Sequence, residues 1–216
     1  PRLDIQLSPQ SLVKLRKKRD EAMESPFQIL IVEKGDEVPG VMFLNNGTDP
    51  VKIRLRLKGD WIDHLSGDKW SFRVKVREGR TVLGMSRFSL QANRTRVGHQ
   101  EALLLQHLRE EGLIAPRYLF VNPSVNNKQM GVMALEEHFT KELMESQNRR
   151  ESVIMALDES YHWREQRGEF DDVIKNSYAY PFKPFNENDV RGSRVLSGYL
   201  REALGLLRGY SEGWID

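Results

Sequence analysis

The chain has 216 residues, of which 39% are apolar and 30% charged, a balance that places it among folded globular proteins rather than disordered ones. A net charge of +2 argues against a general nucleic-acid binder, and the absence of cysteine excludes disulfides, thiolate nucleophiles, cysteine-ligated zinc and iron–sulfur clusters. No apolar run approaches the roughly 18 residues of a membrane span. The start at Pro1-Arg2-Leu3-Asp4 has no signal-like apolar region, and a start without Met reads as that of a processed or shortened chain, from which any targeting segment would have gone with what came before.

Ser8-Pro9 reads as a helix start, a capping hydroxyl followed by proline at the first helical position. The helix runs through Lys14, Arg16, Lys17, Lys18 and Arg19 to about Met23, with its cations as a solvated face. Residues 27–32 read as a strand, 35–40 as a turn and 41–44 as a second strand, and Asn45-Asn46-Gly47 turns the chain again. Then comes Val51-Lys52-Ile53-Arg54-Leu55-Arg56-Leu57-Lys58, followed by a polar loop over 59–68 and the run Lys69-Trp70-Ser71-Phe72-Arg73-Val74-Lys75-Val76-Arg77. Residues 80–91 carry two short strands around Gly84. The spacing predicts a helix over 99–111, with Ala102, Leu103, Leu104, Leu105 and Leu108 on a broad apolar side and Gly112 as its stop.

Pro116 opens a strand through Tyr118, Leu119, Phe120 and Val121, and Asn126-Asn127 turns it into a partner strand over 131–135. Residues 139–149 read as helical and 153–157 as a short strand, while 158–188 are aromatic and charged with little periodicity. Residues 190–207 form a long amphipathic helix with Val195, Tyr199, Ala203, Leu206 and Leu207 on its apolar side. Strands, a helix, a hairpin and then mostly helix make an α+β pattern: an antiparallel sheet with packed helices, followed by a helical segment. A boundary near residue 150 separates a sheet-rich part, 1–150, from a mostly helical part, 151–216.

The chemistry concentrates in the basic hairpin. A strand sends successive side chains to opposite faces, so both runs present an apolar face and a cationic face. Paired on one core, they place Lys52, Arg54, Arg56 and Lys58 beside Lys69, Arg73, Lys75 and Arg77. Like charges opposite each other weaken a sheet, so the face suits an anion, with phosphate the first candidate. In the loop, Asp60, Asp63, His64 and Asp68 have donors for a divalent cation, but they match no established ligand spacing and also read as a polar loop that neutralises its cationic neighbours. Gly59 and Gly67 would allow backbone to approach phosphate closely. Lys69 stands where the loop re-enters the sheet, as a phosphate-positioning lysine would. The helix over 99–111 carries Glu101, Glu110 and Glu111, one of which would pair with Lys69 if the helix packs against the sheet, while Glu101, in the first turn, also answers the helix dipole. Glu136 and Glu137 end a buried strand, as solvated carboxylates or beside a ligand, and the adjacent His138 reads as structural. His64, His99, His107 and His162 show no nucleophile partnership. Trp61, Trp70, Trp163 and Trp214 read as core or subdomain anchors.

The ordered set Lys58-Gly59-Asp60, Lys69-Trp-Ser-Phe-Arg73-Val-Lys75, Leu83-Gly84-Met85-Ser86-Arg87-Phe88, Glu111-Gly112-Leu113-Ile114-Ala115-Pro116-Arg117-Tyr118 and Glu136-Glu137-His138-Phe139 resembles the CotH kinase-like family, in a bacterial branch, over roughly residues 50–157. The resemblance implies the N-lobe of a divergent protein-kinase-like fold. It implies an ATP-dependent transfer of the γ-phosphate, with Mg or Mn, to Ser or Thr of a protein substrate. By position, Lys69 and Arg73 would face the nucleotide phosphates, Glu101 would pair with Lys69, Gly59 and Asp60 would open the phosphate loop, and Glu136 and Glu137 would sit near adenine or ribose. No counterpart of the family's catalytic aspartate or metal acids is evident, so no catalytic or metal residue is assigned. The chain reads as an N-lobe fragment that is inactive by itself, from an extracytoplasmic or cell-envelope parent whose membrane contact would lie outside this chain. A non-catalytic envelope binding module is the alternative, and nucleic acid is not an expected partner.

Overall fold

A computed structural model describes residues 1–95, 98–157 and 182–215. It contains two compact units, Pro1–Asn148 and Arg149–Asp216. His162 and Trp163, and most of the aperiodic stretch from 158, lie outside the described residues.

The first unit is built on β1 (Arg2–Leu7), β2 (Val38–Leu44), β3 (Val51–Leu57), β4 (Phe72–Val76), β5 (Arg87–Ala92), β6 (Tyr118–Val125), β7 (Lys128–Gln129) and β8 (Met133–Glu137). The spatial order is β1-β2-β3-β4-β5-β8-β6-β7, and β6 also pairs with β1. Seven strands therefore close into a mixed barrel with β7 as an extra strand. The closing β1–β6 pair is parallel, with Leu3 opposite Pro123 and Ile5 opposite Val125, and every other pair is antiparallel. This overturns the expected kinase-like N-lobe, an antiparallel sheet with packed helices. The physical reason is β1, a strand absent from the sequence reading. Its alternation buries Leu3, Ile5 and Leu7 and gives the sheet a partner on both sides.

The inner face carries Leu55, Val74, Phe88, Leu90, Val121, Met133 and Leu135, all fully buried. Each is worth about 1.5–3 kcal/mol in burial, so a one-residue slip that turned a strand inside out would forfeit several such terms. Helix α1 (Pro9–Glu24) starts where expected: Ser8 Oγ accepts from the Ser11 backbone N–H, and the helix lies against β2 and β3 with Leu15 and Ala22 buried. Residues 27–32 do not form the expected strand. Gln28 adopts φ +52°, which breaks extended backbone, and Ile29 makes only an isolated bridge to Trp61. Helix α2 (His99–Glu110) forms, but none of its residues is fully buried and Leu103 and Leu104 face outward. The expected helix over 139–149 is shorter, α3 (Lys141–Glu145). Trp61 and Trp214 are exposed rather than anchoring a core, while Trp70 packs partly on it under the Arg19 guanidinium.

Asn126 fastens the barrel seam. Its Oδ1 accepts from the Leu7 N–H at 2.7 Å, its Nδ2 donates to the Leu7 carbonyl at 2.9 Å, and its own N–H reaches the Ile5 carbonyl at 2.8 Å. It also holds φ +47°, the left-handed backbone an Asn-Asn hairpin turn requires. Asn126→Ala should cost about 1–3 kcal/mol in urea unfolding. Asn126→Gly, which keeps the backbone and loses only the side-chain bonds, should cost less. Equal stability of Asn126→Ala and the parent would show the seam does not depend on these bonds.

The second unit pairs β9 (Met155–Leu157) with β10 (Phe182–Pro184), followed by α4 (Glu187–Gly192) and α5 (Arg194–Ser211). The single helix expected over 190–207 is broken at Ser193, which leaves helical backbone and whose Oγ accepts from the Leu196 N–H. No described helix is long and apolar enough to cross a membrane.

Candidate functional site

Alternation on β3 and β4 produces the basic face anticipated from the two runs. Arg54 lies directly opposite Lys75 and Arg56 opposite Arg73. The register continues across the next strands: Arg73 faces Ser89, Ser89 faces Glu136, and Lys75 faces Arg87. Two rows thus cross the outside of the barrel, Arg56–Arg73–Ser89–Glu136 and Arg54–Lys75–Arg87, and His138 joins the second through its N–H to the Arg87 carbonyl. Ser89 and Gln91 are polar side chains on this outer face, yet both are buried.

The first row is ordered by hydrogen bonds. Lys58 Nζ donates to Gln91 Oε1 at 2.7 Å and pairs with Glu136 at 3.3 Å, and Gln91 Nε2 donates to the same carboxylate oxygen. Arg56 donates to the Leu57 carbonyl at 2.9 Å. Arg73 Nη1 lies 2.7 Å from His138 Nδ1. The Arg73 Nε is buried and has no acceptor among the described residues. Burial, then the charge of Arg56, lowers the Arg73 pKa to about 10, so it stays cationic at neutral pH. Burial likewise lowers the pKa of Arg56. Two half-buried guanidiniums at directly opposed positions repel by about 2–3 kcal/mol at ~6 Å and an effective dielectric near 20. In the second row, Arg54, Lys75 and Arg87 form no ion pair among the described residues.

Lys69 takes a different place from its expected one beside Glu101. Its side chain runs over Gly131, where a Cβ would meet Nζ at 3.0 Å, and no ion pair joins it to Glu101. Glu101 lies half-buried in the first turn of α2. Gly59 holds φ +122°, and a Cβ there would fall 2.4 Å from the His64 side chain, so the packed imidazole already requires glycine. Asp60 is exposed, and its charge supports those of Arg56 and Arg73. The loop is pinned from outside: Arg94 donates to the carbonyls of Asp63, Ser66 and Lys69, and Arg19 donates to that of Leu65. Asp68 pairs with Lys128 at 3.2 Å, and Asp63 accepts from the His64 N–H. Among the described residues no group of three or more His, Asp or Glu is placed to hold a metal ion.

Glu136 and Glu137 part company because consecutive strand residues face opposite ways. Glu136 joins the outer row. Glu137 turns inward opposite Phe88, where Arg117 clamps it. Arg56, Arg87, Gln91 and His138 complete the rows around Arg73. Their signal was the same period of two, which runs on through Arg87-Phe88-Ser89-Leu90-Gln91 and Glu136-Glu137-His138. No family model matches the chain, and no curated protein matches it.

Proposed function

We propose that the outer face of β3, β4, β5 and β8 binds the phosphates of a nucleoside triphosphate, and that the chain is the nucleotide-binding part of an enzyme of the CotH kinase-like kind that phosphorylates protein hydroxyls. The observation that carries this reading is Arg73: a half-buried guanidinium directly opposite Arg56, with a buried Nε–H that has no acceptor among the described residues. A buried unmet donor in a cationic row costs stability, and an oxyanion supplies both the missing acceptor and the missing charge. The resemblance over residues 50–157 supplies the choice of ATP. In this reading the weight rests on Arg56 and Arg73, with Lys58 held by Glu136 at the edge of the row.

Calorimetric titration with ATP and Mg²⁺ tests it. Arg73→Leu should weaken binding at least tenfold, about 1.4 kcal/mol, and should keep its melting temperature, because an apolar replacement of a half-buried charge is tolerated. Lys69→Ala, whose ammonium lies over Gly131, should have a smaller effect. Failure of the parent protein to bind ATP would overturn the reading. The row Arg54–Lys75–Arg87 favours a second reading, a non-catalytic module for an acidic protein. Binding of an acidic protein that disappears in high salt, with no ATP binding, would select it.

A further inference from the structure

His138, which reads as structural from the sequence, faces the site from the end of β8. A guanidinium only donates, so the 2.7 Å contact from Arg73 Nη1 makes His138 Nδ1 the acceptor and leaves the ring proton on Nε2. Four cations act on the ring: Arg73 on β4, Arg87 on β5, and Arg56 and Lys58 on β3. Glu136, two residues before it on β8, is engaged by Lys58 and Gln91. The contact has a geometric consequence for Arg73. With Nη1 committed to the ring, the edge formed by Nε and Nη2 is what remains, and neither atom has an acceptor among the described residues. That edge is the side-on fork that takes two oxygens of one phosphate or carboxylate.

We propose that His138 is the positioning residue of this anion site: its neutral imidazole holds Arg73 by one Nη and thereby presents the Nε–Nη2 edge to the oxyanion. The proposal rests on the anion-site reading above and deepens it by fixing which edge of which arginine meets the ligand. A neutral acceptor is required, because an imidazolium would turn a donor toward a donor and release the guanidinium. Arg73 carries four rotatable bonds, so an untethered side chain would have to be ordered by the ligand itself, at the ligand's expense in affinity.

The experiment uses ATP with Mg²⁺ and, separately, inorganic tripolyphosphate as probes, on the full chain and two variants. His138→Asn places an amide oxygen near the position of Nδ1 and should bind within threefold of the parent. His138→Phe fills the space without an acceptor and should bind at least tenfold more weakly while remaining folded by circular dichroism. Parent and His138→Asn should share one pH profile between pH 8 and 5.5, as expected of a ring that stays neutral there. Nitrogen-15 NMR of the free protein should show Nε2 protonated and Nδ1 bare. A His138→Phe variant that binds like the parent overturns the positioning role and leaves the phosphate site standing. An Nδ1–H tautomer in the free protein overturns it without any ligand. Absence of binding of either probe to the parent overturns the phosphate site and this role with it.

Discussion

Glu137→Ala should destabilise the protein by about 3–5 kcal/mol, the range for breaking one partner out of a buried ion pair. The Glu137 side chain has no exposed surface, against 23% for Arg117. Arg117 Nε donates to Oε2 at 2.9 Å, its backbone N–H donates to the same oxygen at 3.1 Å, and Nη2 meets Oε1 at 2.5 Å. The same guanidinium extends to a second element, donating to the Leu83 carbonyl at 3.1 Å and the Gly84 carbonyl at 2.9 Å. Leu83 and Gly84 both hold positive φ, in the turn bridged by Val82 and Met85. Alanine at 137 therefore leaves a guanidinium without its carboxylate and a strained turn without its anchor. Arg117→Met should cost a similar amount, because the carboxylate is then buried without a counter-charge. The double variant Arg117→Met with Glu137→Met should lose much less than the two single losses added together, since an apolar pair can replace a buried ion pair. Chemical denaturation of the four proteins measures this. Additive losses would mean that the two residues act separately and that the clamp is not a unit.

The contrast between Glu137 and its neighbour marks where sequence reasoning stopped. The family resemblance sets the two carboxylates together beside a ligand, whereas period-two alternation assigns them to opposite faces. What local pattern can encode was legible: the alternating runs, the outward row of cations, the turn asparagines and the helix start at Ser8. Alternation puts the cations of both runs on one face but leaves the register open by steps of two residues, and the structure sets Arg54 opposite Lys75 and Arg56 opposite Arg73. Closure was not legible. It depends on β1 finding β6 some 120 residues later, as in the hydrogen bond from Ser124 to Asp4, and no local period encodes that pairing. The position of Lys69 was missed for a related reason. Its ammonium lies over Gly131, which precedes β8 and is brought there by the barrel rather than by the loop before Lys69. In sequence His138 stands as a lone histidine, because its meaning comes from Arg73, on a strand 65 residues earlier.

The same histidine sets an acid limit on the fold. Burial, followed by the charges of Arg73, Arg87, Arg56 and Lys58, lowers the His138 pKa from 6.5 to about 3. The folded ring is thus neutral where the unfolded ring takes a proton. The unfolded chain binds more protons between these two values, so stability falls as pH falls. The contribution is whole above about pH 6.5 and drains away toward pH 3. Between pH 7.5 and pH 5 the loss should be about 2 kcal/mol. Hydrogen bonds hold Asp4 and Glu142 below the ordinary carboxylate range, from Ser124 to Asp4 and, against the opposing effect of burial, from Thr140 and Ser86 to Glu142, so their contributions are lost only as pH falls below about 4.5. This separation isolates the histidine at pH 5. Urea denaturation of the parent across pH 5–7.5 should show the decline, and His138→Asn, which keeps an acceptor for Arg73 and cannot titrate, should remove most of it. Salt distinguishes the two causes. Because burial is the larger one, about 1 M salt should soften the decline without abolishing it. An equal decline in parent and His138→Asn would place the proton elsewhere and would mean that the ring is not held neutral against Arg73.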